Sequence, residues 1–405
     1  MADPTLSASP SMGRFGSMGR PRVLQILHGG TGGLGVAVDL LEQQTGDRFE
    51  HWCLGVEAGC WRVLGRGDGA GERLFLRDAG ALRRLVRRLG VDLVHVHHIL
   101  GDRRHLARAL RRLPIPYGVT VHDFYFACPR IHMVPPGQVY CDAPTILDRC
   151  RECLARDPCV PVDIADWRQE HGELLRGAAF VTTPTADTAR VVMRYWPDLQ
   201  PRVVPHDYRP RGLDTPIEPD PDEPFSVGVV GALGPEKGGE MVERLAEAAR
   251  ARDLPVRLVV LGDTHRHGGP QSLMEGWLFV HGSYRREELP RWLREYRIRL
   301  AAFPAIWPET FCLTLSETWA SRVPALVPAF GALAERVNAA QGGWTVAEWT
   351  QPAAWLDAIL RHARDPEALA AAGERGCRSL LPGYTRHPVV ALYAEAMASP
   401  EAGRG

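Results

Sequence analysis

The stretch "PAIWPETFCLTLSETWAS" (304–321) carries two carboxylates, Glu309 and Glu317, eight residues apart. Pro308 suits a helix start, so the pattern predicts a helix from near Thr310, with the amides of Thr310, Phe311 and Cys312, just ahead of Leu313, free to bind an anion. At about 1.5 Å of helix per residue the two carboxylates lie about 12 Å apart, the reach from a sugar across a diphosphate to a ribose. One carboxylate could then accept from sugar hydroxyls and the other from ribose hydroxyls, with the diphosphate over the helix start. Two merely solvated glutamates fit poorly, because Phe311, Leu313, Leu315 and Trp319 mark this helix as largely buried.

Two further stretches could hold an anion. "LHGGTGGLG" (27–35) follows an apolar run and opens an amphipathic one, so its glycines, Gly32 and Gly33 among them, either bring backbone amides close to a phosphate or sugar or simply make a tight turn. The spacing does not meet the six-residue dinucleotide fingerprint. In "VGALGPEKGGE" (230–240), Lys237 stands where the next helix begins, and a cation beside free amides suits a pyrophosphate, although such a lysine is often only solvated.

Five of the nine cysteines fall between Cys128 and Cys159. Cys128, Cys141, Cys150 and Cys153 follow C-x12-C-x8-C-x2-C, and a C-x2-C pair suits one tetrahedral zinc ion. A structural zinc site is the expectation, since the surrounding stretch has few apolar residues with which to fold; buried unligated thiols, or a disulfide in an oxidising compartment, are the alternatives. His132 could replace one cysteine ligand.

These residues need a scaffold. Short β-branched runs at 22–27, 92–98, 116–122 and 179–184 alternate with amphipathic stretches at 35–44, 79–89, 102–112 and 185–195, which predicts a parallel sheet with helices on both faces. The proline-rich acidic segment 209–224 reads as a linker, and the alternation restarts at 225–231 and runs to 324–329. The expected fold class is therefore α/β: a tail at 1–20, a Rossmann-like domain at 21–208 with the cysteine-rich insertion 123–162, the linker, a second such domain at 225–380, and a C-terminal helix and tail at 381–405. The two domains should face each other across a cleft at the carboxyl ends of their strands.

Lys and Arg together equal Asp and Glu at 48 each, so no global field recommends nucleic acid. Ten arginines against three aspartates between Arg77 and Arg112 make either a solvated helical face or a surface for weak contact with anionic lipid or an anionic acceptor. The N-terminal stretch lacks an apolar secretory core and no apolar run is long enough to span a bilayer, so a cytoplasmic chain is expected, peripheral at the inner membrane face at most.

Several motifs in order, "HDFYFACPR" (122–130), "GPEKGG" (234–239), "GSY" (282–284), the Glu-x7-Glu stretch "ETFCLTLSE" within "WPETF" and its continuation, and "GALAER" (331–336), resemble retaining glycosyltransferases of the GT-B fold, family four, and in detail a bacterial subgroup. The resemblance covers about residues 22–375. It implies a nucleotide-sugar donor, a polysaccharide, glycolipid or natural-product acceptor, and no catalytic divalent metal. By the same resemblance His122 lies beside the transferred sugar, Lys237 neutralises the donor diphosphate, Glu309 contacts the sugar and Glu317 the ribose. Gly32 and Gly33 border the diphosphate and acceptor, and the base lies near Gly282, Ser283 and Tyr284. Many relatives have an arginine in the turn where this chain has Ala232, so Arg130 or Arg285 would have to substitute, or phosphate binding is weaker. An epimerase or hydrolase of nucleotide sugars, or a catalytically silent binding scaffold, are the rival expectations.

Overall fold

The computed structural model describes residues 19–28, 32–57, 60–65, 72–74, 80–100, 103–159, 161–220, 222–380 and 384–399. The expected tail at 1–20 therefore falls almost entirely outside the described residues, as do Gly29, Gly30 and Thr31 of the first glycine loop.

The first sheet contains β1 (Arg22–His28), β2 (Glu50–Glu57), β3 (Cys60–Gly65), β4 (Glu72–Leu74), β5 (Leu93–Val96), β6 (Tyr117–Thr120), β7 (Phe180–Thr183) and β8 (Arg202–Val203), in the order β4-β3-β2-β1-β5-β6-β7-β8. All pairs are parallel except β2–β3 and β3–β4, which form an antiparallel edge absent from the sequence expectation. β5, β6 and β7 are buried along their whole length, as strands covered on both faces must be. The covering helices are α1 (Gly33–Thr45), α2 (Gly80–Leu89), α3 (Arg103–Leu110), α4 (Leu147–Arg156), α5 (Ile164–Arg176) and α6 (Ala186–Tyr195). In α2 the apolar positions Ala81, Leu82, Leu85 and Val86 face the core while Arg83, Arg84, Arg87 and Arg88 are exposed. Among the described residues no helix is long and apolar enough to cross a membrane.

The second sheet contains β9 (Phe225–Val230), β10 (Val256–Leu261), β11 (Gln271–Leu273), β12 (Leu278–Gly282), β13 (Leu300–Ala302), β14 (Ala325–Pro328) and β15 (Gly343–Val346), ordered β11-β12-β10-β9-β13-β14-β15, with only the β11–β12 pair antiparallel. Helices α7 (Gly239–Ala251), α8 (Leu289–Glu295), α9 (Leu313–Ala320), α10 (Gly331–Ala340), α11 (Pro352–Ala363) and α12 (Pro366–Ser379) accompany it. The last helix, α13 (Val389–Ala398), returns to the first domain: Val389, Leu392 and Tyr393 pack with Val23, Leu41, Phe49, Leu93 and Phe180.

Strand order reverses at β1/β5 in one sheet and at β9/β13 in the other. Loops leaving adjacent strands diverge there and open a crevice at the strand carboxyl ends. Gly32, His97 and His122 follow β1, β5 and β6, while Lys237 and Glu309 follow β9 and β13.

Candidate functional site at the cleft between the domains

The loops from both sheets enclose a cavity of about 610 Å³. From the first domain it is lined by Gly32, Gly33, His122 and Asp123, and from the second by Lys237, Ser283, Tyr284, Glu309, Thr310, Phe311, Cys312, Leu313 and Glu317. Of the residues expected from sequence to bind the donor, Gly282 stands apart: it ends β12 behind Ser283 and is not among the cavity's lining.

Two glycines let the second-domain loops close up. At Gly238, in the left-handed region with φ 81°, a Cβ would lie 2.0 Å from the carbonyl oxygen of Pro304, so only glycine permits the Lys237 turn to reach the β13 loop. At Gly331, φ 73°, a Cβ would lie 2.7 Å from Cα of Pro308, which fixes α10 against the start of "PETF".

The helix that carries Glu317 starts later than the pattern predicts, at Leu313 rather than near Thr310. Cys312 has φ 68°, a left-handed conformation uncommon outside glycine, and breaks the path from Glu309 into α9. Arg336 supports this conformation: its Nη1 donates to the carbonyls of Phe311 (2.7 Å) and Cys312 (2.8 Å), its Nη2 donates to Ser316 Oγ (2.7 Å), and its guanidinium lies 3.9 Å from the centre of the Phe311 ring. Burial lowers its pKa to about 10. The first-turn amides of the helix are consequently those of the residues from Leu313 onward, with Thr310–Cys312 as a shaped loop. Glu309 is not on a common helix with Glu317, yet both carboxylates border the one cavity.

Charges in the cavity are arranged unevenly. Lys237 is held above its ordinary pKa by the charge of Glu309, and the Glu309 carboxyl is pushed up by burial while Lys237 draws it back. Glu317 is raised by burial and restrained by Tyr208 and Arg286: its Oε1 accepts from Tyr208 Oη (2.8 Å) and Arg286 Nε (2.9 Å). Among the described lining residues Lys237 and Arg286 are the only lysine and arginine, and Arg286 is tied to Glu317. The two arginines weighed as substitutes at Ala232 are engaged elsewhere, Arg130 with Asp157 and the Cys153 carbonyl, and Arg285 with Glu288.

The first-domain wall is a histidine cluster. The His122 ring stacks on His206 at 5.4 Å and 11°, and Thr310 Oγ1 donates to the His122 carbonyl, joining the two domains at this point. Burial lowers the pKa of His122 well below the usual histidine value and brings His206 to about 3. Burial alone would raise Asp123, but His98, with Nε2 at 3.1 Å from its carboxylate, brings it below the ordinary range. A second inter-domain contact lies nearby, where the Glu335 carboxylate accepts from the backbone N–H of Ala186 (2.9 Å) and Asp187 (2.6 Å) at the start of α6. His206, Tyr208, Arg286 and Arg336 were missed by sequence reasoning. Arg336 closes the quoted "GALAER" motif, and the other three carry no local signal, since they meet the site only through the tertiary fold.

The zinc expectation finds no support among the described residues. Cys128, Cys141, Cys150 and Cys153 are free thiols around a separate cavity of about 310 Å³. Thiolates sharing one zinc would each have to lie about 2.3 Å from it. Among the described residues no group of three or more His, Cys, Asp or Glu is placed to hold a metal ion. Arg168 ties this insertion together instead: it donates to the carbonyls of Ala127 (3.1 Å) and Pro144 (3.3 Å) and to Cys150 Sγ (3.2 Å). Burial pushes the Cys128 thiol up to about 12. His132, the alternative ligand, lies in the main cleft against Trp307, with ring centres 4.4 Å apart.

Known proteins place this architecture. The chain is similar to sucrose-phosphate synthase from Thermosynechococcus elongatus, with TM-score 0.65 and 14% identity over 93% of this chain and 97% of that one. It is also similar to a glycosyltransferase from Rickettsia africae (TM-score 0.61, 12% identity, 94% and 100% covered). A third likeness is to Anabaena HepE, solved in complex with UDP-glucose (TM-score 0.58, 15% identity, 93% and 98% covered). No curated protein sequence matches. The fold is GT-B, and residues 213–378, which supply Lys237, Glu309, Glu317 and most of the cavity, match the family model of glycosyl transferases group 1.

Proposed function

We propose that the protein is a retaining glycosyltransferase that moves a hexosyl or deoxyhexosyl unit from a nucleoside-diphosphate donor to a hydroxyl of a glycan, glycolipid or natural product. The observation that carries this reading is the convergence of Lys237, the start of α9, Glu309 and Glu317 on one cavity, within the segment that matches the group 1 family.

In such a reaction positive charge builds on the sugar and negative charge on the departing phosphate. Lys237 and the first amides of α9 stabilise the phosphate by preorganised electrostatics. Glu309 accepts from sugar hydroxyls, Glu317 uses its second carboxylate oxygen for the ribose, and His122 borders the transferred sugar. Ser283 and Tyr284 border the base. The leaving phosphate takes the proton of the acceptor hydroxyl as the new glycosidic bond forms on the face that it vacates. The insertion, which contributes His132 and Asp123 to the cavity, forms the acceptor side.

The test is incubation with UDP-, GDP- and dTDP-sugars, following nucleoside diphosphate with and without acceptor alcohols. Acceptor-dependent release supports transfer. Release without an acceptor favours a hydrolase, an epimerised sugar with no release an epimerase, and no turnover of any donor a silent scaffold. UDP-sugars are tried first because HepE was solved with UDP-glucose.

A further inference from the structure

The buried polar side chains behind His122 form a hydrogen-bonded chain whose direction can be read from its far end. Thr45 Oγ1 lies 2.7 Å from the Leu41 carbonyl, which can only accept, so the hydroxyl donates there. It therefore accepts from its other neighbour, His51 Nε2, at 2.9 Å. Burial of His51 favours the uncharged ring, so with that nitrogen protonated its Nδ1 is bare, and Gln25 Nε2, 2.9 Å away, donates to it. The amide orientation of Gln25 is thereby fixed, and its Oε1 faces His97 Nε2 at 2.8 Å, so this nitrogen carries a proton. His97 is 2% exposed and burial keeps it neutral, which leaves its Nδ1 as an acceptor. The neighbour of that atom, at 2.9 Å, is His122 Nε2, which must donate.

We propose that Gln25 and His97 are positioning residues that hold His122 as its Nε2–H tautomer, so that the ring offers an unprotonated Nδ1. On the reading that His122 borders the transferred sugar, a bare nitrogen can only accept, which suits a hydroxyl on that sugar. Gln25 and Thr45 are fully buried and His51 is 3% exposed, and reversing the whole chain would turn the Thr45 hydroxyl proton towards His51 and leave two acceptor oxygens, Thr45 Oγ1 and the Leu41 carbonyl, 2.7 Å apart with no proton between them. The last helix joins the same network: Tyr393 Oη lies 2.7 Å from His95 Nδ1 and 3.4 Å from Gln25 Nε2.

The test combines ¹⁵N-histidine NMR of the full chain with steady-state kinetics on His97→Leu and His97→Asn, the His122 signals being identified by their loss in His122→Asn. Wild type should show the Nε2–H signature for His122. His97→Leu should mix or reverse it and lower kcat about tenfold, the weight of one hydrogen bond, with donor KM little changed. His97→Asn puts an amide oxygen where Nδ1 was and should restore both. Gln25→Leu repeats the test should His97→Leu not fold. An Nδ1–H tautomer in wild type, or a folded His97→Leu that keeps both signature and turnover, overturns the proposal. Absence of turnover in wild type would count against the transferase reading alone, because the NMR signature is read without it.

Discussion

The second-domain wall of the cleft consists of loops that leave neighbouring strands already carrying their charges, Lys237 after β9 and Glu309 after β13. The first-domain wall is made of neutral rings: His122, held from the interior through His97, Gln25 and His51, and His206, which stacks on it. One wall acts through charge held by local backbone geometry. The other acts through proton placement held by a buried network. Charge is strong at a distance and should dominate the rate, whereas proton placement should tune it.

Breaking the charged wall at Lys237 should therefore have the largest effect: Lys237→Ala is expected to lower kcat about 10³-fold, measured as nucleoside diphosphate release. Next comes Arg336→Leu, which frees the carbonyls of Phe311 and Cys312 and lets the left-handed turn relax. Turnover should fall about 100-fold, the weight of one or two hydrogen bonds from a charged donor, and an equal kcat to wild type would show that the loop holds itself. Glu317→Gln keeps the shape but weakens the acceptor that Tyr208 and Arg286 orient, and should raise donor KM about tenfold with kcat largely kept.

The neutral wall is better probed by pH. His206 has a pKa of about 3 in the fold against about 6.5 unfolded, so below pH 6.5 the unfolded chain binds a proton that the native one refuses. Its contribution to stability is complete above pH 6.5 and declines from there down to about pH 3, by about 1.4 kcal/mol per pH unit. Urea midpoints at pH 7.5 and 5 should separate, and His206→Asn should narrow the gap; an unchanged gap would place the acid sensitivity elsewhere. The smallest effect is expected at the insertion. Cys153→Ser should leave stability within about 0.5 kcal/mol and turnover unaltered, whereas collapse of the fold would reinstate a metal clip.

The same contrast governs what could be read from the sequence. The two doubly wound domains were visible because β5, β6 and β7 are short apolar runs between amphipathic helices, and Lys237, Glu309 and Glu317 were visible because each sits in a compact motif. The antiparallel edge β2–β4 was not legible, since its strands pair as hairpins outside the βαβ alternation. The start of α9 was placed three residues early because Pro308 suggested it, while the turn at Cys312 depends on Arg336, a side chain from α10. The cysteines suggested a shared metal, but spacing along a chain does not say whether side chains converge, and Arg168, well downstream, donates to Cys150 Sγ and lines the cavity that they border. His206 and Tyr208 lie just before the linker and reach the cleft only because the two domains close on it.

The most direct measurement is a crystal structure grown with UDP. The diphosphate should lie between Lys237 Nζ and the first amides of α9, with the ribose against Glu317 and the base beside Ser283 and Tyr284. A nucleotide seated elsewhere, in the cysteine-lined cavity for instance, or in this cleft with its phosphates turned away from Lys237, would contradict it.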